Sequence, residues 1–254
     1  MSNKNNSNKD DVFEKEYFAK DVGREHDSSV YMNEKRKESP KEYFKFIFKE
    51  TKQYFKEFQE PRILDVGCAT GDFLYFLEKQ KQKVILNGIE VLEELLDIAK
   101  NEVPNSSFSR GDICIKKTLP ETKFDIAYMI GVHTLFDNVE HWLDNFLDLI
   151  QDGGYGFIFS FYNTDDYDVL IKVRKSGTDG KWQAGWNVLS KKTFSDFLKK
   201  RNIKHEFIQW EIEIDIEKNL EDPLRGWTLK MDGGKRLIRN TCCFQDFYLL
   251  KIYK

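Results

Sequence analysis

The residues best placed to do chemistry follow a short apolar run, Ile63-Leu64-Asp65-Val66-Gly67-Cys68-Ala69-Thr70-Gly71. The pattern puts an acid inside a buried strand and two glycines in the turn beyond it. Gly67 and Gly71 let the backbone turn tightly and approach a ligand. A helix starting after them offers unpaired N–H groups to a carboxylate. About 20 residues on, Glu90 ends a second strand, placed to accept hydrogen bonds from two ribose hydroxyls. A dinucleotide fingerprint needs G-x-G-x-x-G to admit a pyrophosphate, and the shorter G-x-A-x-G here disfavours a nicotinamide dehydrogenase.

Two further groups of residues could serve an acceptor. His133 follows the apolar run ending Met129-Ile130-Gly131. Its imidazole could take a hydroxyl proton, or it could order its loop or position the substrate. Asn163–Ser190 and Glu217–Asn240 carry cations and aromatics together: Arg174, Lys175, Lys181, Trp182 and Trp186 in the first, Arg225, Trp227, Lys235, Arg236 and Arg239 in the second. Arginine forks match phosphate oxygens and indole faces suit sugar or apolar moieties, although a solvated lid anchored by tryptophans would look the same. Arg225, between Pro223 and Trp227, is the first choice for anion contact. Trp186, Trp227, Tyr31, Tyr162 and Asn163 are further acceptor contacts.

The elements that must hold these residues alternate. Arg62–Val66, Lys83–Ile89, Ser107–Ser109, Phe124–Ile130 and Gly156–Tyr162 read as strands; Phe73–Lys79, Val91–Asn101, Glu140–Ile150 and Lys191–Arg201 read as helices. Two alternating runs, Glu206–Ile216 and Cys243–Tyr253, close the chain with no helix between them, which predicts an antiparallel pair at one sheet edge. The fold class is therefore α/β, a mainly parallel sheet covered on both faces. Ahead of it, residues 1–11 are too polar to order themselves. Residues 12–60 form a helical cap in which Phe44, Ile47, Phe48, Thr51, Tyr54, Phe55 and Phe58 predict one amphipathic helix opened by Ser39-Pro40. Residues 61–254 form the main domain, with inserts at 163–190 and 217–240.

These motifs resemble those of the class I S-adenosylmethionine-dependent methyltransferases, over roughly Arg62 to Lys254. The resemblance implies a Rossmann-like seven-stranded sheet with a reversed last strand, S-adenosyl-L-methionine as cofactor and S-adenosyl-L-homocysteine as product. It places Asp65, Gly67, Cys68, Ala69 and Gly71 around the methionine part, Glu90 on the ribose, Asp112 and Ile113 at the adenine, and Met129 and Gly131 beneath the methionyl amine. The one departure is Ala69, where glycine is commoner. Gly131–Asp137, Trp142–Asn145, Gly185–Asn187 and Asp222–Thr228 resemble a bacterial subgroup of capsule-biosynthesis methyltransferases. That narrower likeness implies O-methylation of a small polar, anionic phosphate or phosphoramidate intermediate, with a nucleotide-linked sugar hydroxyl, or a catalytically silent partner of a paralogue, as alternatives. Methyl transfer from a sulfonium is an in-line displacement that chiefly needs alignment. An anionic acceptor needs no base, and His133 would then donate a hydrogen bond. Asp165, Asp166 and Asp168 beside Asn163 suggest a metal, but the magnesium-dependent catechol-type enzymes also need an acid after the fourth strand, where this chain has Gly131 and His133; no metal is expected.

Composition agrees. The 254 residues carry 40 Lys+Arg against 43 Asp+Glu, a net charge of −3, which argues against general nucleic-acid binding. No apolar run reaches a membrane span, and Met1–Asp10 lacks a secretory-type stretch, so a cytoplasmic protein with a small-molecule acceptor is expected, with a homodimer or a paralogue partner left open. Cys68, Cys114, Cys242 and Cys243 show neither metal spacing nor disulfide density and are expected to be reduced.

Overall fold

A computed structural model describes residues 31–32, 37–221, 224–239 and 244–254. The expectations for residues 1–11, and for Cys242 and Cys243, lie outside them. Strands β1 (Arg62–Val66), β2 (Ile85–Glu90), β3 (Ser107–Arg110), β4 (Phe124–Ile130) and β5 (Ile150–Phe161) form one parallel array. It continues through two strands from the C-terminal half, β8 (Lys204–Trp210) and β12 (Phe247–Tyr253), in the order β3-β2-β1-β4-β5-β12-β8. β12 is antiparallel to both neighbours, the reversed last strand. The chain order reverses between β1 and β4, so their carboxyl ends frame the crevice where open α/β sheets bind ligands.

Burial explains the central strands. β1 and β4 are enclosed on both faces, which is why they read as continuous apolar runs and not as alternation. On one face Ile63, Ile126, Tyr128, Phe157 and Phe159 pack against α1 (Glu42–Thr51) and α2 (Asp72–Lys79) through Phe44, Ile47, Phe73, Leu74 and Leu77. On the other, Leu64, Met129, Ile158 and Leu250 meet Trp142 and Phe146 of α4 (Glu140–Asp148) and Phe194 and Leu198 of α5 (Lys191–Lys199). α3 (Glu93–Glu102) lies along β2 and β3.

Three expectations about elements are corrected. The helix after Pro40 stops at Thr51 and resumes as a 3-10 turn, Tyr54–Glu57. The buried Thr51 hydroxyl donates to the Ile47 carbonyl at 2.8 Å and accepts from Tyr128 at 2.8 Å, and the tighter turn beyond lets Tyr54 meet Tyr155 with ring centroids 4.3 Å apart. The helix expected through Ile150 ends at Asp148, because Ile150 already pairs with Phe124 and opens β5. Residues 217–240 are not a plain loop: β9 (Trp227–Met231) and β10 (Gly234–Ile238) form a hairpin extended by β11 (Phe244–Gln245), while β8 ends at Trp210. Within 163–190, β6 (Lys172–Val173) and β7 (Gln183–Ala184) form a short ribbon.

Candidate active site

A cavity of about 430 Å³ opens at the carboxyl ends of β1, β2 and β4. The loop after β1 is fixed by β2: Gly67 and Cys68 donate their N–H groups to the Ile89 carbonyl, and Ala69 donates to the Glu90 carboxylate at 2.9 Å. Gly67 is required there twice over, since its φ is +74° and a Cβ would come within 2.5 Å of Val132 Cγ2. Ala69 also lies in the left-handed region, at φ +46°, a conformation that favours glycine. Gly71, at φ +81°, caps the N-terminus of α2.

Glu90 closes the second strand with both carboxylate oxygens engaged. Besides Ala69, it accepts the N–H groups of Val91 at 2.8 Å and Leu92 at 3.1 Å. Burial raises its pKa, the three backbone donors pull it down, and Asp112 pushes it up. Asp65 is pushed up to about 8, by burial first and then by the Glu90 charge. Its Oδ1 is buried with no hydrogen-bond partner among the described residues. Asp112 accepts the Cys114 N–H at 2.9 Å and donates its own N–H to the Thr118 hydroxyl at 2.9 Å, which shapes the loop after β3. With Asp72 and Glu94, these acids make the wall strongly acidic, Lys41 being the one cation on it among the described residues. Such a wall suits a ligand carrying ammonium, sulfonium and hydroxyl groups.

A second cavity, of about 170 Å³, adjoins the first and shares Tyr31, Lys41, Tyr43, Ile130, Gly131 and Trp186 with it. Its sign is opposite: Lys41, Arg225 and Arg239 line it, and among the described residues no carboxylate or imidazole does. Gly131 marks the junction, with φ +76° and open space where a side chain would begin.

Of the expected cofactor residues, Asp65, Gly67, Cys68, Ala69, Glu90, Asp112, Ile113 and Gly131 line the first cavity. Gly71 stands behind it as the helix cap, and Met129 is buried in the core. Of the acceptor candidates, Tyr31, Trp186 and Arg225 line the second cavity. Tyr162, Asn163 and Trp227 do not. Tyr162 is buried and its hydroxyl donates to the Ile158 carbonyl at 3.2 Å, because the last β5 residues alternate across the sheet and its side chain falls on the α5 face. Asn163 ties a turn, donating to the Tyr167 carbonyl at 2.8 Å. Trp227 begins β9 beneath Lys218. His133 is also off both cavities: the 3-10 turn His133–Leu135 points its ring into the core, 4.7 Å from Tyr162 and 5.3 Å from Phe194. Burial drives its pKa down to about 3, only partly offset by the backbone at Phe161.

Sequence reasoning missed Lys41 and Tyr43, which come from the start of α1, and Phe136 from the loop after β4. It also missed Gly88, where a Cβ would lie 2.7 Å from Cys68 Sγ and push the first loop outward.

The methyltransferase domain family matches residues 32–210, most of the chain. The chain belongs to that family. Among curated relatives, this methyltransferase-domain chain is similar to a demethylmenaquinone methyltransferase of Bacteroides fragilis, 24% identical over 121 residues, covering 45% of this chain and 49% of that protein. It is also similar to a trans-aconitate 2-methyltransferase of Agrobacterium fabrum, 26% identical over 90 residues, covering 35% and 34%. The chain spans half or less of the length of the curated relatives it matches. Among solved structures, an amino pentose methyltransferase of Micromonospora echinaspora superposes with a TM-score of 0.53 at 14% identity, covering 87% of this chain and 96% of that one. The plantazolicin methyltransferase BpumL does so with 0.53 at 18%, covering 89% of each. Both share the fold. S-adenosylmethionine is the cofactor of this enzyme class, and the residues present fit it: an orphaned carboxylate oxygen on Asp65, an acid ending β2, and a turn opened by Gly67, where a Cβ would meet Val132.

Proposed function

We propose that the protein transfers a methyl group from S-adenosylmethionine to an anionic oxygen of a small polar acceptor. The observation that carries this reading is the pair of adjoining cavities of opposite charge, one lined by Asp65, Glu90 and Asp112, the other by Arg225 and Arg239, meeting at Gly131. The cofactor, when bound, supplies the electrophilic methyl group.

The chain supplies alignment and charge. Glu90 orients a ribose and locks the glycine loop; Asp65 takes an ammonium; the α2 N-terminus faces a carboxylate. Arg225 and Arg239 hold the acceptor's anionic group, and Gly131 leaves its oxygen a clear line across the junction. Among the described residues, the second cavity's wall has no carboxylate or imidazole to take a proton from a neutral hydroxyl, and His133 is enclosed elsewhere. An acceptor already ionised needs no base. This favours a phosphate or phosphoramidate over a hydroxyl on a nucleotide-linked sugar. The motifs that resemble those of capsule-biosynthesis enzymes support placing that acceptor in cell-surface carbohydrate synthesis. Incubation with labelled S-adenosylmethionine and a panel of matched phosphorylated and neutral sugars tests the reading: methyl transfer to the phosphorylated members alone is expected, and transfer to neutral hydroxyls alone overturns it.

A further inference from the structure

Tyr31, Lys41, Tyr43, Ile130, Gly131 and Trp186 line both cavities, so whatever reacts across the junction reacts among them. Ile130 and Gly131 bring no polar side chain. Lys41 lies over the Tyr31 ring, 5.5 Å from its centroid, and the Trp186 ring is covered by Arg239 at 3.7 Å. Tyr43 differs from these. Its hydroxyl has no hydrogen-bond partner among the described residues, and it is not one of their enclosed polar atoms.

The ring that carries this hydroxyl is fixed. Tyr43 sits in the first turn of α1, stacked on Phe159 with centroids 5.1 Å apart and edge-on to Phe44 at 5.1 Å and Trp210 at 5.9 Å. A phenylalanine would make every one of these contacts, and α1 uses Phe44, Phe46 and Phe48 beside it. The hydroxyl therefore adds nothing to the packing that holds the helix on the sheet. When ligands fill both cavities and displace water from the junction, a hydroxyl left unpaired there is unfavourable. A polar atom of the ligand must meet it.

We propose that Tyr43 is a catalytic residue at the point of transfer, its hydroxyl donating a hydrogen bond to the acceptor's oxygen and holding that oxygen in line with the methyl group. This rests on the reading of the two cavities as donor and acceptor sites and deepens it. A lone pair of the acceptor oxygen forms the O–CH3 bond as the S–CH3 bond breaks, and the electron pair of the broken bond leaves on sulfur as a neutral thioether. Tyr43 keeps its proton throughout. A carbon acceptor offers the O–H no lone pair and leaves it unpaired, so the junction favours oxygen.

Calorimetry on the full-length protein with two cofactor analogues tests the assignment. One is S-adenosylhomocysteine; the other is sinefungin, which carries an amine where the methyl-bearing sulfonium stands and so puts an N–H donor at the junction. A phenolic oxygen accepts as well as donates. Tyr43→Phe removes the hydroxyl alone. It weakens sinefungin by roughly tenfold to a hundredfold, the worth of a hydrogen bond to a charged group, while affinity for S-adenosylhomocysteine stays within about twofold and the melting temperature of the free protein is unchanged. With the phosphorylated sugars that accept methyl, the same variant lowers kcat by about tenfold or more and leaves KM for S-adenosylmethionine within about twofold. Unchanged sinefungin affinity, equal loss of both analogues, a lowered melting temperature or an unchanged kcat each overturns the proposal. A wild type that binds neither analogue overturns the methyltransferase reading instead.

Discussion

The Glu90 carboxylate accepts the backbone N–H of Ala69 at 2.9 Å, so the acid that ends β2 also holds the turn that ends β1. One side chain thereby ties the end of β2 to the loop after β1, the proposed ribose and methionine positions. Glu90→Ala removes that tie and leaves the N–H groups of Ala69, Val91 and Leu92 without their acceptor. Affinity for S-adenosylhomocysteine should fall by roughly tenfold or more by calorimetry. Unchanged affinity would take Glu90 off the ribose.

Asp65 gives the site a pH signature. Its pKa of about 8 in the folded chain lies above the ordinary 3.8, owing to burial first and the Glu90 charge second. The folded state therefore holds this proton more tightly than the unfolded chain. The associated stability is full below about pH 4 and is lost as pH rises through about 8. Thermal melts of the ligand-free protein between pH 5 and 9 should show this decline, Asp65→Asn should flatten it, and S-adenosylmethionine, which brings positive charge to the acids, should raise the melting temperature most at the alkaline end. A decline of the same slope in Asp65→Asn would assign it to another group.

His133 runs the opposite way. Its folded pKa of about 3 lies below the ordinary 6.5, so its contribution is present above 6.5 and lost as pH falls toward 3. His133→Phe, close in volume and free of the titration, should fold, resist acid better, and leave the pH profile of kcat between pH 6 and 9 unchanged. Loss of turnover together with loss of a neutral titration in that profile would restore His133 as a base.

Gly67→Ala combines a left-handed backbone with a Cβ 2.5 Å from Val132 Cγ2. It should destabilise the fold by about 2–4 kcal/mol and abolish cofactor binding, both visible in melts with and without S-adenosylhomocysteine. Ala69→Gly, which only relieves a φ of +46°, should leave binding intact. Equal effects of the two substitutions would contradict the close packing assigned to the first.

Sheet, helices and much of the first cavity's wall were legible because local pattern and global fold agree there. β1 and β4 are buried on both faces and read as apolar runs, and Gly67 follows β1 and Glu90 ends β2 at spacings that the β-α-β unit dictates. The acceptor wall was half legible. Trp186 and Arg225 are found by residue type, but Tyr162 and His133 lie off both cavities, because their direction depends on which way a strand end or a 3-10 turn faces, and sequence order does not encode that. Arg239 and Lys41 reach the cavities from just beyond β10 and from the segment before α1, far apart in the chain. Thr51 ends its helix for a partner, Tyr128, that lies 77 positions away.

We propose that the acidic cavity at the carboxyl ends of β1, β2 and β4 takes a methyl donor of the S-adenosylmethionine type. Isothermal calorimetry with S-adenosylhomocysteine and, separately, NADH tests this most directly. One equivalent of S-adenosylhomocysteine should bind and NADH should not; binding of NADH with no response to S-adenosylhomocysteine would contradict it.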